Sequence, residues 1–280
     1  MRRLLFGLAA LVQLLAATAM RAIAQQSAAT GFAVSGPIFG QPGSTVPVPP
    51  STPPLAELSP EAGPYGPPVA DNMIFGHVLF DQLEGRTSGL DNEFRWDGEG
   101  WVGTDMNKLW FKSEGFLEQG IMTDGDQEAL YDRPITTYFD AQAGLRYDLD
   151  TNPGRLWGAI GIEGLAPYFF QFAPTFYFSD KGYFAGRIQG SYDQLITNRL
   201  ILQPEVEINF YSKSQPNRGV GSGLAEIDTG LRLRYEITRK FAPYIGFAYT
   251  GSYGQSASFT RAEGGNTNDP RVVFGARIWY

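Results

Sequence analysis

Val272, Phe274, Ala276, Ile278 and Tyr280 place an apolar or aromatic side chain at every second position up to the last residue, with Arg271, Gly275 and Arg277 between them. A period of two assigns the two sets to opposite faces of one β-strand. A strand left at the edge of a sheet offers unpaired N–H and C=O groups to other chains. Pairing the last strand with the first removes that edge. This feature therefore points to a closed barrel.

The same alternation recurs upstream. Leu200, Leu202, Pro204, Val206, Ile208 and Phe210 alternate with Arg199, Gln203, Glu205, Glu207 and Asn209. Ala225, Ile227, Leu231, Leu233, Tyr235 and Ile237 alternate with Glu226, Asp228, Arg232, Arg234 and Glu236. Leu109, Phe111 and Leu117 alternate with Lys108, Lys112, Glu114 and Glu118. These runs exceed the usual strand of about five or six residues and reach the nine to eleven that a tilted strand needs to cross a bilayer. An alternating last strand that ends on an aromatic also resembles the recognition signal of bacterial outer-membrane barrels. The expected fold is all-β: a transmembrane antiparallel β-barrel, apolar side chains toward lipid, polar ones toward the lumen. Closure is what would satisfy its backbone groups in lipid.

The start of the chain agrees. Arg2 and Arg3 precede a mostly apolar stretch, and Ala22-Ile23-Ala24 is a small-x-small cleavage pattern. Residues 1–24 read as a secretory signal peptide. Residues 25–70 hold eleven of the nineteen prolines, among them Pro49-Pro50 and Pro67-Pro68, and few large apolar residues. They read as a disordered Pro-rich periplasmic linker. The barrel is expected over residues 71–280, in the bacterial outer membrane and with its lipid as partner. Without cysteine, disulfides and thiolate metal sites are excluded. The net charge of -7 disfavours nucleic acid as a partner.

Turn signals give the strand count. Short links near residues 104–107, 150–154, 197–198 and 239–240 read as periplasmic turns, and longer ones near 122–133, 213–222 and 255–269 as outer loops. With 155–178 as one long strand, the count is about ten, an even number; eight and twelve follow if one hairpin is misplaced.

Leu79-Phe80-Asp81-Gln82-Leu83-Glu84, Leu109-Trp110-Phe111-Lys112-Ser113-Glu114-Gly115, Leu200-Ile201-Leu202-Gln203-Pro204, Arg232-Leu233-Arg234-Tyr235-Glu236 and Phe241-Ala242-Pro243-Tyr244-Ile245-Gly246 occur in that order. In them, residues 71–280 resemble the copper resistance protein B family of outer-membrane barrels. The resemblance implies a role in copper tolerance, a copper ion as ligand or cargo, and periplasmic copper-handling proteins as partners. Family members often carry a Met- and His-rich N-terminal stretch. Residues 25–70 contain neither residue type.

Candidate ligands are sparse. After residue 24 the chain has Met73, Met106, Met122 and one histidine, His77. The expected strand order sets Met73, His77 and Met106 at the periplasmic mouth, where two thioethers and an imidazole would suit copper. A single strand histidine is more often a hydrogen-bonded residue than a ligand. The lumen offers a second set, with Asp97, Glu205, Glu207 and Glu226 on the inward face, able to draw in cations by field focusing. Inward arginines can instead pair with these carboxylates and fill a narrow barrel. A narrow non-specific porin or structural barrel is the competing reading. A barrel hydrolase is disfavoured, because a Ser–His mechanism would have to use His77.

Overall fold

The computed structural model describes residues 73–88, 91–118, 120–149 and 154–280. The signal peptide and the Pro-rich segment expected over 1–24 and 25–70 lie outside them. The strands are β1 (Phe75–Ser88), β2 (Asp91–Gly103), β3 (Lys108–Glu118), β4 (Ile121–Pro134), β5 (Phe139–Asp148), β6 (Arg155–Ala166), β7 (Phe170–Ser179), β8 (Phe184–Ser191), β9 (Gln194–Leu195), β10 (Leu200–Tyr211), β11 (Gly223–Tyr235), β12 (Phe241–Ser252) and β13 (Asn268–Trp279). One helix, α1 (Gly254–Ala262), lies between β12 and β13.

Each long strand pairs with its neighbours in sequence, and β13 returns to β1. The last pairing runs antiparallel from Leu79↔Trp279 to Thr87↔Val272, and Tyr280 and Val78 exchange both backbone hydrogen bonds, at 2.8 and 3.0 Å. The sheet is therefore a closed antiparallel barrel of twelve long strands, with the two-residue β9 appended to β10. Apolar side chains face outward: Ile245, Phe247 and Phe274 are each more than half exposed. Charged ones face inward: Glu84, Arg86, Arg232 and Arg234 are fully buried. That inverts the arrangement of a water-soluble barrel.

Twelve strands replace the ten expected, for two reasons. Residues 122–133, expected as an outer loop, belong to β4. Its inward face is Asp126, Glu128, Leu130 and Asp132, and its outward face has few large apolar residues, so the acidic run resembles a loop. The stretch 155–178 divides at Pro167–Phe169, a turn in which Tyr168 and Phe169 take positive φ of 68° and 64°. The outward apolar phase is the same on β6 and β7, which hides that turn from a periodicity argument. Adding one strand and splitting another keeps the count even.

The added strand β4 also moves one link. Residues 150–153 are not described, but the residues flanking them are tied to the long loop between β10 and β11. Asp148 reaches Arg218 at 3.0 Å, and Arg155 bonds Gln215. The ends of β5 and β6 that flank the turn expected near 150–154 thus lie at the loop end rather than at the end of the chain terminus. At that loop end α1 rests on residues 221–222, with the Gly221 N–H donating to Ser256 Oγ at 2.8 Å. A Cβ on Gly221 would stand 2.4 Å from the Ser256 nitrogen, so this close approach requires glycine.

Candidate functional site

The lumen is the candidate site, and its two sides are built differently. Toward β4–β8 it is packed. Leu130, Trp157, Ala159, Tyr177 and Ala185 form a buried cluster. Its polar tips are satisfied: the Trp157 indole N–H donates to Asp148 Oδ2 at 2.6 Å, and the Tyr177 hydroxyl donates to Glu128 Oε1 at 2.7 Å. Above the Tyr177 ring sits the Arg146 guanidinium, 4.7 Å from its centroid. Arg146 also reaches Asp126 at 2.8 Å and Asp148 at 2.9 Å.

Toward β1 and β10–β12 the filling is ionic. Arg232 gives Nε to Glu84 Oε2 at 2.9 Å and Nη1 to Glu205 Oε2 at 2.8 Å. Its Nη2 reaches Gln82 Oε1 at 2.9 Å and Glu84 Oε1 at 3.0 Å. Glu84 also accepts from Arg86 at 2.7 Å and from the Tyr244 hydroxyl at 2.9 Å. A carboxylate this buried persists only when its oxygens are filled by charged and neutral donors, as here. A register shift between Phe80 and Leu83 lets both Asp81 and Gln82 reach inward partners. Asp81 takes Arg277 at 2.7 Å, and Gln82 takes Glu205 at 2.9 Å.

The expected lumen residues fall into two groups. Glu205 is held by Arg232 and Gln82. Glu207 accepts from Asn209 at 2.7 Å and lies 3.4 Å from Arg187. Asp97 and Glu226 form no hydrogen bond or ion pair with another described residue, and Glu99 shares that state. Asp97 faces Glu114 directly across the β2–β3 pair, a like-charge opposition that is unfavourable in a sheet. Glu99 faces Lys112, whose ammonium turns instead to Glu163 at 2.5 Å.

At the terminal end the His77 ring lies 5.7 Å from the Trp279 ring and 6.4 Å from that of Trp101. Trp101 is followed in turn by Trp110 at 6.3 Å. Ammonium groups cap this aromatic series, Lys108 over Trp101 and Lys112 over Trp110. Met106 is exposed in the turn after β2, and that turn lies at the same end as His77, whose carbonyl borders Gly100 of β2. Met73 is exposed ahead of β1. Met122 opens β4 at the other end. No group of three or more His, Asp and Glu side chains with metal-holding geometry occurs among the described residues.

Sequence reasoning missed Gln82, Glu84, Arg86, Asp126 and Glu128. Gln82 lies within the register shift in β1 and Glu84 and Arg86 beyond it; the one signal was two consecutive polar residues, Asp81 and Gln82, inside an alternating run. The other two were hidden in the strand read as a loop.

Strand closure, an apolar exterior and a charge-filled interior define a narrow membrane-type β-barrel. The chain belongs to the copper resistance protein B family. The family described as copper resistance protein B precursor (CopB) matches residues 74–280. "Copper resistance protein B" of Escherichia coli is 42% identical over 217 residues, which is 77% of this chain and 73% of that protein. A "Copper resistance protein B homolog" of Pseudomonas syringae pv. tomato is 38% identical over 215 residues, with the same coverage of 77% and 73%. Among solved structures, a NanC porin aligns with a TM-score of 0.48 at 15% identity, over 73% of this chain and 99% of the porin. A KdgM porin aligns with a TM-score of 0.43 at 12% identity, over 72% and 98%.

Proposed function

We propose that this chain is a bacterial outer-membrane barrel that binds copper ions or lets them pass as part of copper tolerance. One observation carries the cation chemistry. In a lumen where most charges are paired, Asp97, Glu99 and Glu226 form no hydrogen bond or ion pair with another described residue. Carboxylates held in a low-dielectric enclosure attract divalent cations more strongly than the same groups in water. The names of the two relatives supply copper as the cation. The outward apolar band supports placement in a membrane, with outer-membrane lipid as surroundings. Periplasmic copper-handling proteins are the partners this reading expects.

The role is not enzymatic in this reading. The one histidine packs against tryptophan rings. A softer site at the mouth, Met73, His77 and Met106, is the second reading; the shared end of His77 and Met106 favours it. Copper sensitivity of a deletion strain, restored by the intact gene, tests the role. Failure of the intact gene to restore growth in copper, with the barrel correctly assembled, leaves the narrow non-specific porin as the better account. Isothermal titration of the purified barrel with Cu(II) and Cu(I) measures binding directly.

A further inference from the structure

Arg95 differs from the other buried lumen arginines in how loosely it is held. It projects from β2 and is nearly fully buried. Its anchors lie far around the barrel, Asp228 on β11 and Glu207 on β10. In the strand order β10-β11-β12-β13-β1-β2, those walls are four and five positions from its own, so the side chain crosses the lumen, as the Arg187 side chain of β8 does to Glu114 of β3. Its grip is loose. The Arg95 Nη1–Asp228 distance is 3.4 Å and the Nη2–Glu207 distance is 3.7 Å, and Nε is buried without a partner. Arg86, Arg146 and Arg232, by contrast, each hold a carboxylate oxygen within 3.0 Å. Beneath the Arg95 guanidinium is the Phe116 ring, 5.0 Å away at its centroid and shared with Arg86 at 5.1 Å.

The three unpartnered carboxylates lie on both sides of this crossing. Asp97 and Glu99 are the next two inward positions of β2 toward the chain terminus. Glu226 is the next inward position of β11 beyond Asp228 toward the outer loops. A cation drawn in from either mouth meets carboxylates without a direct ion pair and then a positive charge on a weakly held arm. The geometry points to Arg95 as the residue that controls cation passage, closing the lumen as a cross-bar held by Asp228 and Glu207. Passage requires the arm to swing off these two anchors, and its missing hydrogen bonds make that motion easier than for any tightly bonded neighbour. This rests on the reading of the barrel as a cation path.

The test uses the full-length barrel in liposomes loaded with ion-sensitive dye. Cu(II), Mg(II) and chloride fluxes are measured for the parent chain, Arg95→Gln, Arg95→Lys and the exposed control Arg239→Gln. Arg95→Gln is expected to raise both cation fluxes on the order of tenfold while chloride changes little, since removing a fixed charge alters ion access on that scale. Arg95→Lys and Arg239→Gln are expected to match the parent. Should Arg95→Gln fail to fold, Arg95→Met, which keeps much of the arm's length and removes its charge, takes its place. Unchanged cation flux in a folded variant overturns the assignment, as does an equal rise for chloride, which would mean simple widening. Raised Mg(II) flux in the variant, together with failure of the intact gene to restore copper tolerance, would instead sink the copper reading and leave Arg95 in its role.

Discussion

The wall of β4–β8 and the wall of β2 solve the same problem in opposite ways. On the first, Trp157 and Tyr177 fill space with rings and use their polar tips to satisfy Asp148 and Glu128. On the second, Arg95, Asp97 and Glu99 leave charges facing the lumen with few or no short contacts. One side is built like a protein core and the other like a channel lining. A lumen can therefore be structurally filled on one side and stay chemically open on the other.

The comparison breaks first if the packed side proves dispensable. Trp157→Ala should cost about 3–5 kcal/mol, the usual range for a large aromatic lost from a packed interior. It would show as loss of heat-modifiable gel migration at lower urea. A loss under about 1 kcal/mol would mean that the cluster is not a core. Glu84→Ala, which takes from Arg232 and Arg86 one of the two carboxylates each holds, should cost about 3 kcal/mol, the low end for breaking a buried pair, because Glu205 and Asp228 remain.

Removing Tyr280 should have a smaller effect on stability, about 1–3 kcal/mol from its two hydrogen bonds to Val78, and should slow assembly. Normal yield of folded barrel without that residue would show that the rest of the seam suffices. Smaller again is the stability effect of Asp97→Asn/Glu99→Gln, expected within about 0.5 kcal/mol because no partner is lost. The same pair should lower cation binding severalfold in isothermal titration. If stability falls sharply instead, the β2 wall is structural and the contrast fails. The smallest expected change is from His77→Ala/Met106→Leu. Met106→Leu keeps bulk and apolarity, so any drop in Cu(I) affinity would report the thioether rather than packing. Unchanged affinity would remove the mouth site.

Much of this was legible in the sequence. The long alternating runs of β10, β11 and β13 showed both the class of fold and which faces turn outward. What escaped was whatever breaks alternation or mimics something else. β4 carries its acidic residues inward and so reads as a loop. The turn at Tyr168 and Phe169 preserves the apolar phase and so reads as continuous strand. The inward position of Asp97 and Glu226 was legible too, but their lack of partners was not, because pairing across a lumen depends on strand number and stagger. With ten strands in place of twelve, Arg95 would face other walls.

The seam between β1 and β13 also sets an order of events. Every other long-strand pairing joins neighbours in sequence, whereas Val78 and Tyr280 stand 202 positions apart, 280 minus 78. Local hairpins form quickly, and pairing that closes a long loop comes late. The growing sheet can therefore remain an open ribbon with its inward charges hydrated. Contacts such as Arg232 to Glu84, which join β11 to β1 across the seam, are then made and dehydrated in the same closing step. Their strength acts as a latch on that step, felt in the rate of reopening more than in the formation of any hairpin.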